Sequence, residues 1–144
     1  NHPLDTGLVN YARLIKALAH RFDLKGRVHY LETGHLPTLL AHAAGVVTVN
    51  STVGTSAMIH RRPTIALGKA VYDLPGLTFQ GTLDQFWREG AAPDPALFRA
   101  FRNTVIHAVQ VNGGFYSRQG MALAVENCLR MLEADRSPLE ELLQ

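Results

Sequence analysis

The run Gly45-Val-Val-Thr-Val-Asn-Ser-Thr-Val-Gly-Thr-Ser-Ala57 restricts the folds open to this chain more than any other stretch. Val46, Val47 and Val49 form a short β-branched run, which suits a strand covered on both faces. The strand then passes directly into a helix whose first turn is rich in hydroxyls. Asn50, Ser51 and Thr52 are each competent helix N-caps, and Gly54 leaves the backbone of the first turn open to close approach. Free amides, hydroxyls and the positive end of a helix dipole then converge, as an anion site requires. The plainer alternative is that Ser51 or Thr52 only caps the helix.

The flanking pattern extends this unit into an α/β fold. Residues 8–22 read as a helix, with Leu8, Ala12, Ile15, Ala19 and Phe22 at helical spacing, and Val28–Leu31 as a strand. A helix over 35–44 with Pro37 in its first turn ends at Gly45. The strand 46–49, a helix over 52–61 and a strand over 64–67, closed by Gly68, complete a strand–helix alternation. That alternation predicts a Rossmann-like parallel sheet with flanking helices. Residues 69–81 read as an irregular loop, 83–88 as a short helix and 90–95 as a linker. Helices follow over 96–111, broken by Asn112-Gly113-Gly114, and over 119–134, with a last turn or two after Ser137-Pro138. The apolar face of 119–134 carries Met121, Val125, Cys128 and Leu132, which predicts a buried cysteine. We expect a single domain over 1–144, with an α/β part at 1–90 and a helical tail at 91–144.

Composition excludes several functions. A net charge of +2 and scattered Arg and Lys exclude a nucleic-acid stripe. With 47% hydrophobic and 18% charged residues the chain is an ordinary globular one. No apolar run reaches the roughly 20 residues of a bilayer span. The lone Cys128 allows no internal disulfide. The histidines (His2, His20, His29, His35, His42, His60, His107) show no ligand spacing with Cys or carboxylates, so no metal is suggested. The chain opens on Asn1-His2-Pro3 without an initiator Met, so we expect a piece of a longer protein.

In open parallel sheets ligands sit outside the carboxyl ends of the strands. Polar clusters fall there: His2-Pro3 with Asp5, Glu32-Thr33-Gly34-His35, Asn50-Ser51-Thr52, and the loop after Gly68. Four segments together resemble one family: Asn1-His-Pro-Leu-Asp5, Thr33-Gly-His-Leu-Pro-Thr-Leu-Leu40, Val49–Ala57 and Leu67-Gly-Lys-Ala-Val-Tyr-Asp-Leu-Pro-Gly-Leu-Thr-Phe-Gln-Gly81. The likeness continues through Leu83-Asp-Gln-Phe-Trp87 to Asn112-Gly-Gly-Phe-Tyr116 and covers most of residues 1–118. The family is that of the bacterial capsule polysaccharide biosynthesis and export proteins, the β-Kdo transferases of group 2 type capsules.

The resemblance implies a GT-B type glycosyltransferase with CMP-Kdo as donor and no metal or other cofactor. This chain would be its C-terminal nucleotide-binding half, with the general base in the N-terminal domain and the fragment inactive alone. His2 and Pro3 match a His-Pro motif and Ser51 and Thr52 a Ser/Thr motif that together hold CMP in related transferases. His2 would stabilise the leaving phosphate or donate a proton to it. The expected nucleotide site is therefore His2, Pro3, Glu32, His35, Asn50, Ser51, Thr52 and Gly54. Glu32 and His35 either contact cytosine or ribose or cap the following helix. Tyr72, Asp73 and Gln80 either line the donor sugar pocket or belong to a turn in which Asp73 satisfies backbone amides. Phe86 and Trp87 read as buried anchors, and His42, His60 and His107 as surface or partly buried residues without a role. Implied partners are a glycolipid or phospholipid acceptor and the capsule export machinery, with no nucleic acid, at the cytoplasmic face of the inner membrane. The alternatives are a UDP-sugar transferase or epimerase of the same fold, or a non-catalytic capsule assembly module.

Overall fold

The computed structural model describes residues 9–143, which divide between His42 and Ala43 into two compact units. In the first, α1 (Tyr11–Arg21) starts where the Asn10 side chain accepts the Arg13 amide at 2.9 Å. Ala12, Ile15 and Ala19 form its half-buried face and line a cleft with Val28 and Tyr30. Phe22 was expected on that face but ends the helix exposed, with the Arg21 guanidinium 5.5 Å from its ring centroid. Val28–Leu31, predicted as a strand, is no part of a sheet among the described residues. A strand exists only with a ladder partner, and among the described residues the one strand ladder is that between β1 (Val46–Thr48) and β2 (Thr64–Ala66). Helix α2 (Leu36–His42) carries Pro37 in its first turn, where its missing N–H costs nothing, and buries Leu40.

The second unit is built on two parallel strands, β1 (Val46–Thr48) and β2 (Thr64–Ala66), in the register Val46↔Thr64, Val47↔Ile65, Thr48↔Ala66. Backbone bonds extend the pairing at both ends: Val46 N–H to Pro63 O, Leu67 N–H to Thr48 O and Gly68 N–H to Val49 O, each 2.8 Å. Helix α3 (Val53–Ile59) connects the strands and packs on both, burying Ala57 and Met58. The sheet among the described residues thus has two strands rather than the predicted three. It gives a mixed α/β unit, with helices beside a small parallel sheet.

Met58, Tyr72 and Leu77 form the core cluster, with Ala66, Ala70, Phe98 and Phe101 packed around it. The loop after β2 is irregular as predicted. It is nonetheless tied down: Leu77 N–H donates to Leu74 O across a turn with Pro75 second and Gly76 third at φ +85°, a conformation that favours glycine. Phe79 N–H then returns to Thr64 O at 2.8 Å.

Helix α4 (Leu83–Glu89) opens on a capping box, with Thr82 and Gln85 each bonding the other's backbone N–H. In α5 (Pro95–Thr104), Asp94 accepts the Ala96 and Leu97 amides, and Pro95 sits at N1. The predicted single helix 96–111 is not continuous α-helix, because Val105–Val109 is wound as a π-helix that ends before Asn112-Gly113-Gly114. There the Gly113 backbone lies against Ala124, only 2.5 Å from where a Cβ would stand. Helix α6 (Arg118–Glu133) contains no buried residue, and α7 (Pro138–Leu142) closes the described chain. The expected apolar face of α6 is exposed, Cys128 included, since nothing among the described residues covers it.

Candidate functional site

Because β1 and β2 are parallel, both carboxyl ends open at one edge of the sheet, and the segments leaving them are Val49–Thr52 and Leu67–Gln80. Ser51 organises the first. Its N–H donates to Thr48 Oγ1 and its Oγ accepts the Val53 amide, both at 3.2 Å. Its carbonyl accepts the Gly54 N–H at 3.0 Å and the Tyr72 hydroxyl. Capping of α3 therefore falls to Ser51, while Thr52 holds the cap position in helical geometry with no side-chain cap bond. Asn50, Ser51 and Thr52 are all exposed. The O–H groups of Ser51 and Thr52 can donate to a ligand at this edge.

Tyr72 serves this turn from behind. It is only 2% exposed, and its ring occupies the space over Gly54, 2.4–2.5 Å from where a Cβ would stand. That corrects one expectation: the Cβ side of Gly54 is filled by an aromatic ring, so the glycine admits Tyr72 rather than a ligand. Burial pushes the Tyr72 phenol above its ordinary pKa; a hydrogen bond with Thr48 opposes this and the Asp73 charge adds to it. The phenol therefore stays neutral at physiological pH, as a donor to the Ser51 carbonyl must. Tyr72 is a positioning residue in this geometry, not an exposed pocket wall.

Asp73 and Gln80 meet through Thr78. The Asp73 Oδ1 accepts the Thr78 hydroxyl at 2.7 Å and the Gln80 amide at 3.1 Å, and Gln80 also donates to Thr78 Oγ1 at 2.9 Å. Asp73 thus takes side-chain donors, where the sequence suggested backbone amides. Thr78 is buried at the centre of this clasp and carried no signal in the sequence beyond its place in the loop.

Glu32 and His35 lie in the first unit. His35 Nδ1 stands 2.8 Å from Thr38 Oγ1 and its carbonyl accepts the Leu39 N–H, so His35 closes the start of α2. Glu32 is exposed and lines the cleft beside α1. His2, Pro3 and Asp5 lie outside the described residues. Of the two expected aromatic anchors only Phe86 is buried, at 5.8 Å from Phe79 and 5.5 Å from Trp87 between ring centroids. Trp87 is 64% exposed, because it follows the buried position of α4 by one residue and faces away. Among the described residues no group of three or more His, Cys, Asp or Glu is placed to hold a metal ion, and no helix is long and apolar enough to cross a membrane.

The segments that form this edge fall within a stretch, residues 1–116, that matches the family model described as capsule polysaccharide biosynthesis protein. The chain belongs to that family. Among its capsule biosynthesis relatives are the proteins named capsule polysaccharide modification protein LipB of Neisseria meningitidis serogroups A and B. Each is 45% identical over 119 residues, covering 82% of this chain and 28% of the relative. The capsule polysaccharide export protein KpsS of Escherichia coli is 45% identical over 116 residues, 81% of this chain and 30% of that protein. The chain thus spans under a third of the length of these relatives. No solved structure matches it.

Proposed function

We propose that this family member is the donor-binding half of a GT-B type glycosyltransferase that takes Kdo from CMP-Kdo and adds it, in β linkage, to a lipid acceptor during capsule synthesis. The observation that carries the reading is the Asn50-Ser51-Thr52 turn at the carboxyl edge of a parallel strand pair, held from behind by Tyr72. Breaking the bond between the anomeric carbon and phosphate builds negative charge on the departing CMP. Hydroxyl donors from Ser51 and Thr52 stabilise that charge where it develops, and His2 adds a donor or a proton from the His-Pro motif. Asn50 adds a further nucleotide contact beside Ser51 and Thr52, while Asp73 and Gln80 shape the loop on the sugar side. The general base and the acceptor site belong to the N-terminal half, and the transferase works at the cytoplasmic face of the inner membrane alongside the export machinery. No metal takes part in this mechanism.

The test is calorimetric titration of the full-length protein with CMP, with UMP and UDP alongside. Selective CMP binding that weakens in Thr52→Ala supports the reading. Preference for UDP replaces it with a UDP-sugar transferase or epimerase. Binding of none of the three points to a non-catalytic capsule assembly module.

A further inference from the structure

The π-helical segment Val105–Val109 borders a cleft of about 370 Å³ that the nucleotide reading does not use. π-Turns are rare and gather at functional positions, because the extra residue per turn re-aims a side chain at some cost in backbone bonding. Here the segment brings His107 to the cleft wall, together with Gln110, Asn112, Asn127, Arg130 and Arg136.

A chain of hydrogen bonds ties the cationic side of the cleft to this segment. The Asn112 side-chain amide donates to Ile106 O at 3.2 Å, and the Asn127 amide donates to Asn112 O at 2.8 Å. Arg130 then donates to Asn127 Oδ1 at 3.0 Å. Arg130 is thereby oriented by Asn127, which is anchored to the Asn112 carbonyl, and Asn112 is in turn tied by its side chain to the π-helical backbone. Among the described residues no ion pair to Asp or Glu takes up Arg130 or Arg136. Two guanidiniums against the single carboxylate of Glu141 leave the lining positive. Arginine suits planar or tetrahedral oxyanions through paired N–H groups, and the volume matches a small-molecule site.

We propose that this cleft binds a small hydroxylated anion, a sugar acid or a sugar phosphate, with Arg130 and Arg136 on the oxyanion and Gln110 and His107 on the hydroxyls. The site is independent of the nucleotide reading, since it shares no residue with the Ser51 edge.

The experiment is calorimetric titration of the full-length protein with glucuronate and with glucose 6-phosphate, using glucose as the neutral control. Binding of either anion, and not of glucose, is expected, and the stronger of the two tells carboxylate from phosphate. Arg130→Gln should weaken that binding at least about tenfold, the scale for losing a hydrogen bond to a charged group. Asn127→Ala keeps both arginines but releases Arg130, and should weaken it by a smaller factor. Thermal melts of both variants check that each is folded, so this test stands whatever CMP does. The proposal is overturned if neither anion binds at millimolar concentration, if glucose binds as well as the anions, or if both folded variants bind like the parent.

Discussion

Gly54→Ala is the substitution that most directly tests how the Ser51 turn is held. An added Cβ would stand 2.4 Å from the Tyr72 Cζ and hydroxyl oxygen, where ordinary contact begins at 3.4 Å, so the ring must retreat by about 1 Å. It has little room, being packed with Met58 and Leu77. Overpacking of this kind costs about 1–3 kcal/mol. The retreat also breaks the hydroxyl bond to Ser51 O, worth about 1 kcal/mol. Against this, alanine in place of helical glycine returns up to about 1 kcal/mol, and less in a helix as short as α3. The net is a destabilisation of about 1–4 kcal/mol, or a fall in Tm of roughly 3–15 °C at this chain length. Differential scanning calorimetry of the two proteins reads it directly. A Gly54→Ala protein melting at or above the parent temperature would refute the claim that Tyr72 fills the space over Gly54.

Three further outcomes follow from the same geometry. Thr52→Ala should weaken CMP binding by about 1–3 kcal/mol with no change in Tm, because its hydroxyl makes no cap bond; titration and melting together check both halves. Tyr72 has a folded pKa above its unfolded value near 10, so it contributes stability that is fully present below about pH 10 and lost as pH rises through the folded value. Tyr72→Phe should flatten that alkaline loss, measured by denaturant unfolding across the alkaline range. Exposed Cys128 should react with a maleimide in the native protein as fast as in denaturant, and strong protection would contradict its exposure on α6.

What could be read in the sequence follows the range of the forces involved. The β1–α3–β2 unit was legible because its cues are local: a β-branched run, hydroxyls at a helix start and a Pro before the next apolar run. The breaks at 69–81 and at Asn112-Gly113-Gly114 were legible for the same reason, being turn chemistry. Val28–Leu31 misled because apolar alternation reports a wish for burial, whereas a strand also needs a neighbour with free backbone groups. Met121, Val125, Cys128 and Leu132 misled likewise, since periodicity marks a face but does not say what covers it. Tyr72 over Gly54 and Thr78 between Asp73 and Gln80 are contacts made only once the loop has folded back. No spacing rule reaches them. The π-turn at Val105–Val109 had no local signature at all.

The distribution of donors and acceptors at the Ser51 edge has its own consequence for what can bind there. Ser51 fills its acceptors inward: the carbonyl takes Gly54 N–H and the Tyr72 hydroxyl, and Oγ takes the Val53 amide. What it retains for a ligand is the O–H of its side chain, joined by the Thr52 hydroxyl. The O–H groups of Ser51 and Thr52 offer donors to a ligand rich in acceptor oxygens, and a neutral Tyr72 places no negative charge behind them. Ionising Tyr72 would place a negative charge behind the turn and turn its donor into an acceptor competing for the Gly54 amide. The burial that raises the Tyr72 pKa therefore extends into the alkaline range the hydroxyl's donation to Ser51 O, and with it the turn that presents Ser51 and Thr52.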